Sequence, residues 1–576
     1  MPIRFARPLA GLVSLLALSV TAVACDRTGD RTSGSGSPAL PSTAKVARAN
    51  GGMLASASPL ATAAGVRMFE AGGNAADAAV AASFALAVVE PSMSSLGGRM
   101  QVLVHQPDGS FRALDATTQA PLAYDSENAP EASYGYATVG IPGMVAGALE
   151  VHASYGSLPL AQVMAPAIDY ARRGFVLDDE IGGHIVASAE RLAESEGGRR
   201  YFFKPDGTPY GPGDRLVQED LARTLERIAE GGLRVFYEGA IAEQIVDDME
   251  ANGGFVTLAD LAQYRVVDSR VLRGTYRGFE LVGSDVPAGG GTVIEALQIL
   301  ETLDVPSLDE EAWMAVVGQA LMLGFEDYYG GVQLEEERAD VLTSKEWAVR
   351  RAREIRLPAA VGVAAAGLGM ALPMGGIPEF WSAHQHTTHL TAADADGRII
   401  ALTQSLGPAM GSKVVAPGLG FTYAATLGGY LGPIARGQRA GSAISPFMIE
   451  KDGTPRWALG AAGGLRIIAG VVEVSSRLMD RGESLEDAVA GARFFPNMGR
   501  SGPGPWELET SPVASWTESS ALALLNSLDI EAEANPSPTS FSRVHAVGIE
   551  ADGTLLGVAD PRWGGAADGA MKTGGH

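Results

Sequence analysis

Residues 383–405 read AHQHTTHLTAADADGRIIALTQS, and how they fold decides how the rest of the chain is organised. TTHLTAA and RIIALTQS carry apolar residues at alternate positions, as half-buried strands do. DADG between them ends in Gly397, the residue type that accepts positive φ at the last place of a short hairpin loop. That loop sets Asp394 opposite Arg398, and Thr387 then falls opposite Ser405. Two hydroxyls share one face at the open end, while Leu390, Ala392, Ile400 and Leu402 share the other and call for a helical layer against it. A Thr–Ser pair across a hairpin is most often a plain packing contact, so pairing alone leaves open whether this one is structural or chemical.

The same stretch clusters His384, His386 and His389. In a strand the first two project to one face and the third to the other. There is no neighbouring cysteine and no helical i, i+4 histidine pair, so a zinc site is not expected, and no metal or cofactor is assigned.

Working outward, 576 residues with 46% hydrophobic content can bury a large core and exceed one simple small domain. The 43 basic and 67 acidic residues leave a net charge of −24, which repels phosphate backbones and anionic headgroups; nucleic acid is not an expected partner. At the N-terminus, Arg4 and Arg7 precede the apolar run LAGLVSLLALSVTAVA, which ends at Cys25, the only cysteine. This reads as a secretory signal over 1–25 of the lipoprotein type, with Cys25 as the lipidated residue, although Ala22 stands where leucine is more usual. The polar stretch 26–44 reads as a flexible tether. The protein is therefore expected to be exported and to touch a membrane only through a lipid anchor.

From about residue 45, Ala-rich helical segments alternate with short β-branched runs, which indicates mixed helix and sheet layers. NAADAAVAASFALAVVE (74–90) is apolar on most sides and belongs in an interior layer. QVLVH and FRALDA read as strands joined by the Asp-Gly turn of QPDGS, and LAQVMAPAIDYARRG and QEDLARTLERIAEGG as amphipathic helices. The stretch from about 357 to 386 is rich in Gly and Pro and reads as an exposed or mobile connection.

Eight blocks in order make the chain resemble the γ-glutamyltransferase family of N-terminal nucleophile hydrolases. They lie at 52–91, 139–175, 256–281, 342–348 (LTSKEWA), 387–405, 441–446 (GSAISP), 461–468 (AAGGLRII) and 558–569 (VADPRWGGAADG). The resemblance implies an α+β fold, a four-layer αββα sandwich. It also implies a precursor that cuts itself between His386 and Thr387, giving a large subunit, 45–386, and a small one, 387–576, that remain together as a heterodimer. Thr387 would be the nucleophile, with its liberated amine as base; such an amine has a reference pKa of about 7.7–8.0 and does not exist while the nitrogen is an amide. Ser405 stands where the family has a second threonine, and Gly463 and Gly464 match its oxyanion-hole glycines. The expected partners are a small amide or γ-glutamyl-like substrate and an amine or water acceptor.

The glutamyl pocket departs from the family pattern. The arginine that clamps the substrate α-carboxylate is replaced by Thr117, and the acids for its amino group by Gly428 and Gly429. The paired serines become Ser442 and Ala443, and an asparagine becomes Gly407. Losing the clamp and the amine contact, at about 1.5–3 kcal/mol each, weakens a zwitterionic glutamyl group by about two to four orders of magnitude. The glycine-rich segment has become SLGGRMQ (95–101), where Arg99 is either a relocated anion clamp or, more commonly for such a residue, a solvent-facing loop arginine. The sequence thus points to an acyltransferase or amidohydrolase with a non-glutathione acyl donor. The alternatives are an inactive lipid-anchored binding protein that retains the fold, and a metal-dependent hydrolase resting only on HQHTTH.

Overall fold

Gly397 adopts φ +93°, and the hairpin around it has the register its sequence dictates: Thr387 pairs with Ser405, Leu390 with Leu402 and Ala393 with Ile399. A bulge between His386 and Thr387 shifts the register at the open end, so that His386 faces Gly407. This computed structural model describes residues 41–129, 131–285, 287–329, 336–357, 386–431, 434–499 and 502–572. The expected signal with Cys25, the expected tether up to residue 40, and residues 358–385 of the Gly/Pro-rich connection, His384 among them, lie outside the described residues.

The main strands are β1 (Val46–Ala49), β2 (Gly52–Ser56), β3 (Arg99–His105), β4 (Phe111–Ala116), β5 (Val267–Ser269), β6 (Val271–Tyr276) and β7 (Phe279–Ser284). After them come the hairpin strands β8 (His386–Asp394) and β9 (Ile399–Gly407), then β10 (Phe447–Lys451), β11 (Thr454–Ala462), β12 (Arg543–Ile549), β13 (Leu555–Ala559) and β14 (Ala566–Ala570). They form two seven-stranded sheets, ordered β14-β2-β8-β9-β3-β4-β5 and β1-β13-β12-β11-β10-β7-β6. Between the sheets lies a thin core of apolar side chains, many of them alanine, including Met53, Ala55, Leu103, Ala401, Met448, Ala458 and Val547. Alternation along each strand sends the other set outward.

On the hairpin sheet that outer set, with Leu390, Ala392, Ile400 and Leu402 in it, packs against helices α1 (Pro59–Glu70), α2 (Ala75–Val89), α3 (Met144–Tyr155), α4 (Leu160–Arg173) and α5 (Glu219–Tyr237). The other sheet is covered by α6 (Gly290–Glu301), α7 (Glu310–Tyr329) and α8 (Arg466–Asp480). The result is the four-layer αββα sandwich. Helix α2 shows why the layers form: Asn74 and Asp77 make a reciprocal cap, and every residue from Ala75 to Val89 is buried, as its uniformly apolar sequence requires. The expected strands QVLVH and FRALDA pair as β3 and β4 around Gly109, at φ +81°. None of the described helices is long and apolar enough to cross a membrane.

Candidate active site

Register aligns two polar rows across the hairpin sheet on its inter-sheet face. The outer row is Thr387, Ser405 and Arg99; the next is His389, Thr403, Gln101 and Asp115. In the second row His389 hydrogen bonds through Nδ1 to Thr403 Oγ1 at 2.7 Å and through Nε2 to Thr391 Oγ1 at 2.9 Å. Burial, with a smaller contribution from His545, holds this imidazole well below the ordinary histidine range, so it is neutral. Gly460 on β11 leaves room for it: a Cβ there would lie 2.3 Å from His389 Cε1. His389 is thus a brace between the sheets, with both ring nitrogens engaged.

The outer row ends at the bond between His386 and Thr387. Ser405 Oγ donates to the His386 carbonyl oxygen at 2.9 Å and lies 3.0 Å from Thr387 Oγ1, and it accepts from Gly407 N–H at 2.9 Å. A hydroxyl has one proton. With that of Ser405 on the carbonyl, the Thr387 hydroxyl donates to Ser405 and keeps its own lone pairs for the neighbouring carbonyl carbon. Both side chains are buried.

Four neighbours were not singled out in the sequence. Arg543, at the head of β12, donates from Nη2 to the Thr387 carbonyl oxygen at 2.9 Å, and its guanidinium lies 3.3 Å from the Trp563 ring centroid. Burial pushes the Glu90 carboxyl up to about 7, the charge of Arg543 pulling the other way. His184 packs edge-on to His386 at 4.2 Å, while its own nitrogens meet Ser92 Oγ at 3.1 Å and Glu180 Oε1 at 3.0 Å. Tyr430 lies against Arg99. The one signal was Arg543 opening an alternating strand, RVHAVGI; its burial depends on the facing sheet.

Gly463 and Gly464 lie between β11 and α8 at φ +130° and +64°, a turn that residues with side chains would enter only with strain. Thr117 is buried, and both its hydroxyl and its N–H donate to Asp115 Oδ1, at 2.6 and 2.8 Å. Ser442 Oγ accepts from Ile444 N–H at 3.2 Å, and Ala443 packs into the apolar core. Gly428, at φ +66°, donates its N–H to the Tyr124 hydroxyl; a Cβ on Gly429 would lie 2.1 Å from the Glu131 carbonyl oxygen. The expectation of a solvent-facing Arg99 is corrected: it is 3% exposed and opens β3 as the register partner of Ser405. The reason is the pair Gly97 and Gly98, which lets the chain pass within 2.5 and 2.9 Å, at the Cβ positions, of the Thr422 and Ser405 carbonyl oxygens and so enter the sheet earlier than alternation alone suggests.

A family model described as Gamma-glutamyltranspeptidase matches residues 61–570. Glutathione hydrolase proenzyme of Escherichia coli (strain K12) is 30% identical over 548 residues, covering 89% of this chain and 91% of its own length. Acylase ACY 1 proenzyme of Pseudomonas sp. (strain SE83) is 33% identical over 545 residues, 89% of this chain and 93% of the relative. Among solved structures, cephalosporin acylase from Bacillus halodurans superposes with a TM-score of 0.81 at 26% identity, covering 95% of this chain and all of that one, 100%.

Proposed function

The chain belongs to the gamma-glutamyltranspeptidase family, whose members are N-terminal nucleophile amidohydrolases and acyltransferases, and on that premise we propose that Thr387 is both the site of self-cleavage and the nucleophile it releases. The observation that carries this reading is the Ser405 hydroxyl, at once 3.0 Å from Thr387 Oγ1 and 2.9 Å from the His386 carbonyl oxygen. In the precursor, the Thr387 oxygen attacks the His386 carbonyl carbon while Ser405 holds the developing oxyanion. The C–N bond breaks as its nitrogen takes up a proton, and water hydrolyses the resulting ester. The products are a carboxylate on His386 and a free amine on Thr387.

In the mature enzyme that amine takes the hydroxyl proton of its own residue, and the oxygen attacks a substrate amide. Gly463 and Gly464 supply N–H groups to the tetrahedral oxyanion, each such donor being worth about 3 kcal/mol in comparable sites. Water or an amine then resolves the acyl-enzyme. Fragments 45–386 and 387–576 stay together as a heterodimer. The protein is exported and held to a membrane through lipid on Cys25.

The acyl donor is a group other than that of glutathione. Thr117 is engaged with Asp115, and Gly428 and Gly429 offer only backbone, so the groups that would grip a zwitterion are missing at those positions. Incubating purified protein and Thr387→Ala with a panel of acyl p-nitroanilides tests the assignment. Turnover by the parent and none by the variant is expected; equal turnover by both would refute it.

A further inference from the structure

We propose that Arg99 selects the acyl donor, pairing with a carboxylate at the far end of a short acyl chain and excluding a free ammonium from that place. The proposal rests on Thr387 being the nucleophile. Arg99 is the register partner of Ser405, itself the partner of Thr387, so its side chain leaves the sheet on the nucleophile's face two strands away. The guanidinium turns back over β9: a Cβ on Gly407 would lie 2.6 Å from Arg99 Nη2 and 2.6 Å from the Tyr430 hydroxyl. Gly407, at φ +89° and opposite His386, is therefore what admits the guanidinium so close to the reacting bond. Strand spacing puts the two roughly 5–10 Å apart. A carboxylate on a short acyl chain held at the nucleophile is within reach of a guanidinium so placed.

Among the described residues this charge has no carboxylate partner. Arg99 Nη2 donates to the Ala425 carbonyl oxygen at 3.1 Å and the guanidinium lies 5.8 Å from the Tyr430 ring centroid, but Nε has no hydrogen-bond partner and no carboxylate forms an ion pair with it among the described residues. Three other buried arginines, Arg466, Arg477 and Arg562, each face a carboxylate at 3.1 Å or less, while Arg543 is held by the Thr387 carbonyl oxygen and the Trp563 ring. A buried guanidinium without a counter-ion is unfavourable until an anion arrives. The places where an acid would hold an ammonium are the backbone-only Gly428 and Gly429, so this end of the site presents a fixed cation.

The test uses the matured protein and three p-nitroanilides of equal chain length: glutaryl, with a carboxylate alone; γ-glutamyl, with a carboxylate and an ammonium; and pentanoyl, with neither. Glutaryl is expected to exceed each of the others by about 10²-fold in kcat/KM. Glutarate should likewise inhibit more strongly than glutamate, a comparison that needs no variant. Arg99→Met should bring the glutaryl-to-pentanoyl ratio toward one, a ratio that partial misfolding would leave unchanged because it lowers both rates alike. Cut protein that hydrolyses pentanoyl and glutaryl amides equally, or prefers γ-glutamyl, overturns the role of Arg99 and leaves Thr387 standing. An uncut, silent chain overturns both.

Discussion

At the scale of single residues, the proposed central device is one serine hydroxyl shared between the Thr387 oxygen, as attacking group, and the His386 carbonyl. Ser405→Ala removes the donor to the His386 carbonyl and is expected to slow self-cleavage by about 10²-fold, whereas Ser405→Thr keeps the hydroxyl and the rate near that of the parent. A time course of intact mass after expression measures it; equal rates for Ala and parent would remove Ser405 from the chemistry. Glu90 gives a second prediction. Its carboxyl ionises near 4.5 when exposed and at about 7 in the fold, because burial outweighs the pull of Arg543. Between these values the unfolded chain loses its proton first, so this group's contribution falls as pH rises, and the loss of about 3 kcal/mol is complete above pH 7. Glu90→Gln should gain about that much relative to the parent between pH 4.5 and 8 in urea unfolding; a pH-independent difference would contradict it. The Thr387–Ser405 pair was legible because a period of two and one glycine fix it. The burial of Arg99 and Arg543 was not, since each is covered by a segment distant in sequence.

At the scale of elements, the hairpin β8–β9 is where both sheets are tied together. His389 reaches from β8 toward Gly460 on β11 while held by Thr391 and Thr403. Gly460→Ala places a methyl 2.3 Å from His389 Cε1, where neither the ring nor the strand can yield without losing hydrogen bonds, and is expected to destabilise the protein by about 1–3 kcal/mol. Denaturant unfolding measures this, and an unchanged midpoint would show that the sheets separate freely there. The hairpin's register and the interior helix 75–89 could be read from periodicity, because each is a local pattern. Which sheet face meets the other sheet, and therefore what His389 does, depends on β11, about 70 residues further along the chain.

At the scale of the whole molecule, the proposed cut falls inside a fold that it cannot divide. One sheet draws β2, β3, β4 and β5 from before residue 386 and β8, β9 and β14 from after it; the other draws β1, β6 and β7 from before and β10 to β13 from after. The two fragments should therefore elute as one species in size exclusion and part only in denaturant; separation under native conditions would contradict the interleaved topology. Alternating helices and strands indicated layers, but the αββα order came from the resemblance, since periodicity cannot say which strands neighbour which. The most direct test of the account is N-terminal sequencing of the smaller fragment of the purified protein. It is expected to read Thr-Thr-His-Leu, from Thr387, on a chain of 190 residues, with no such fragment from Thr387→Ala. A single unbroken polypeptide, or a cut at any other bond, would contradict it.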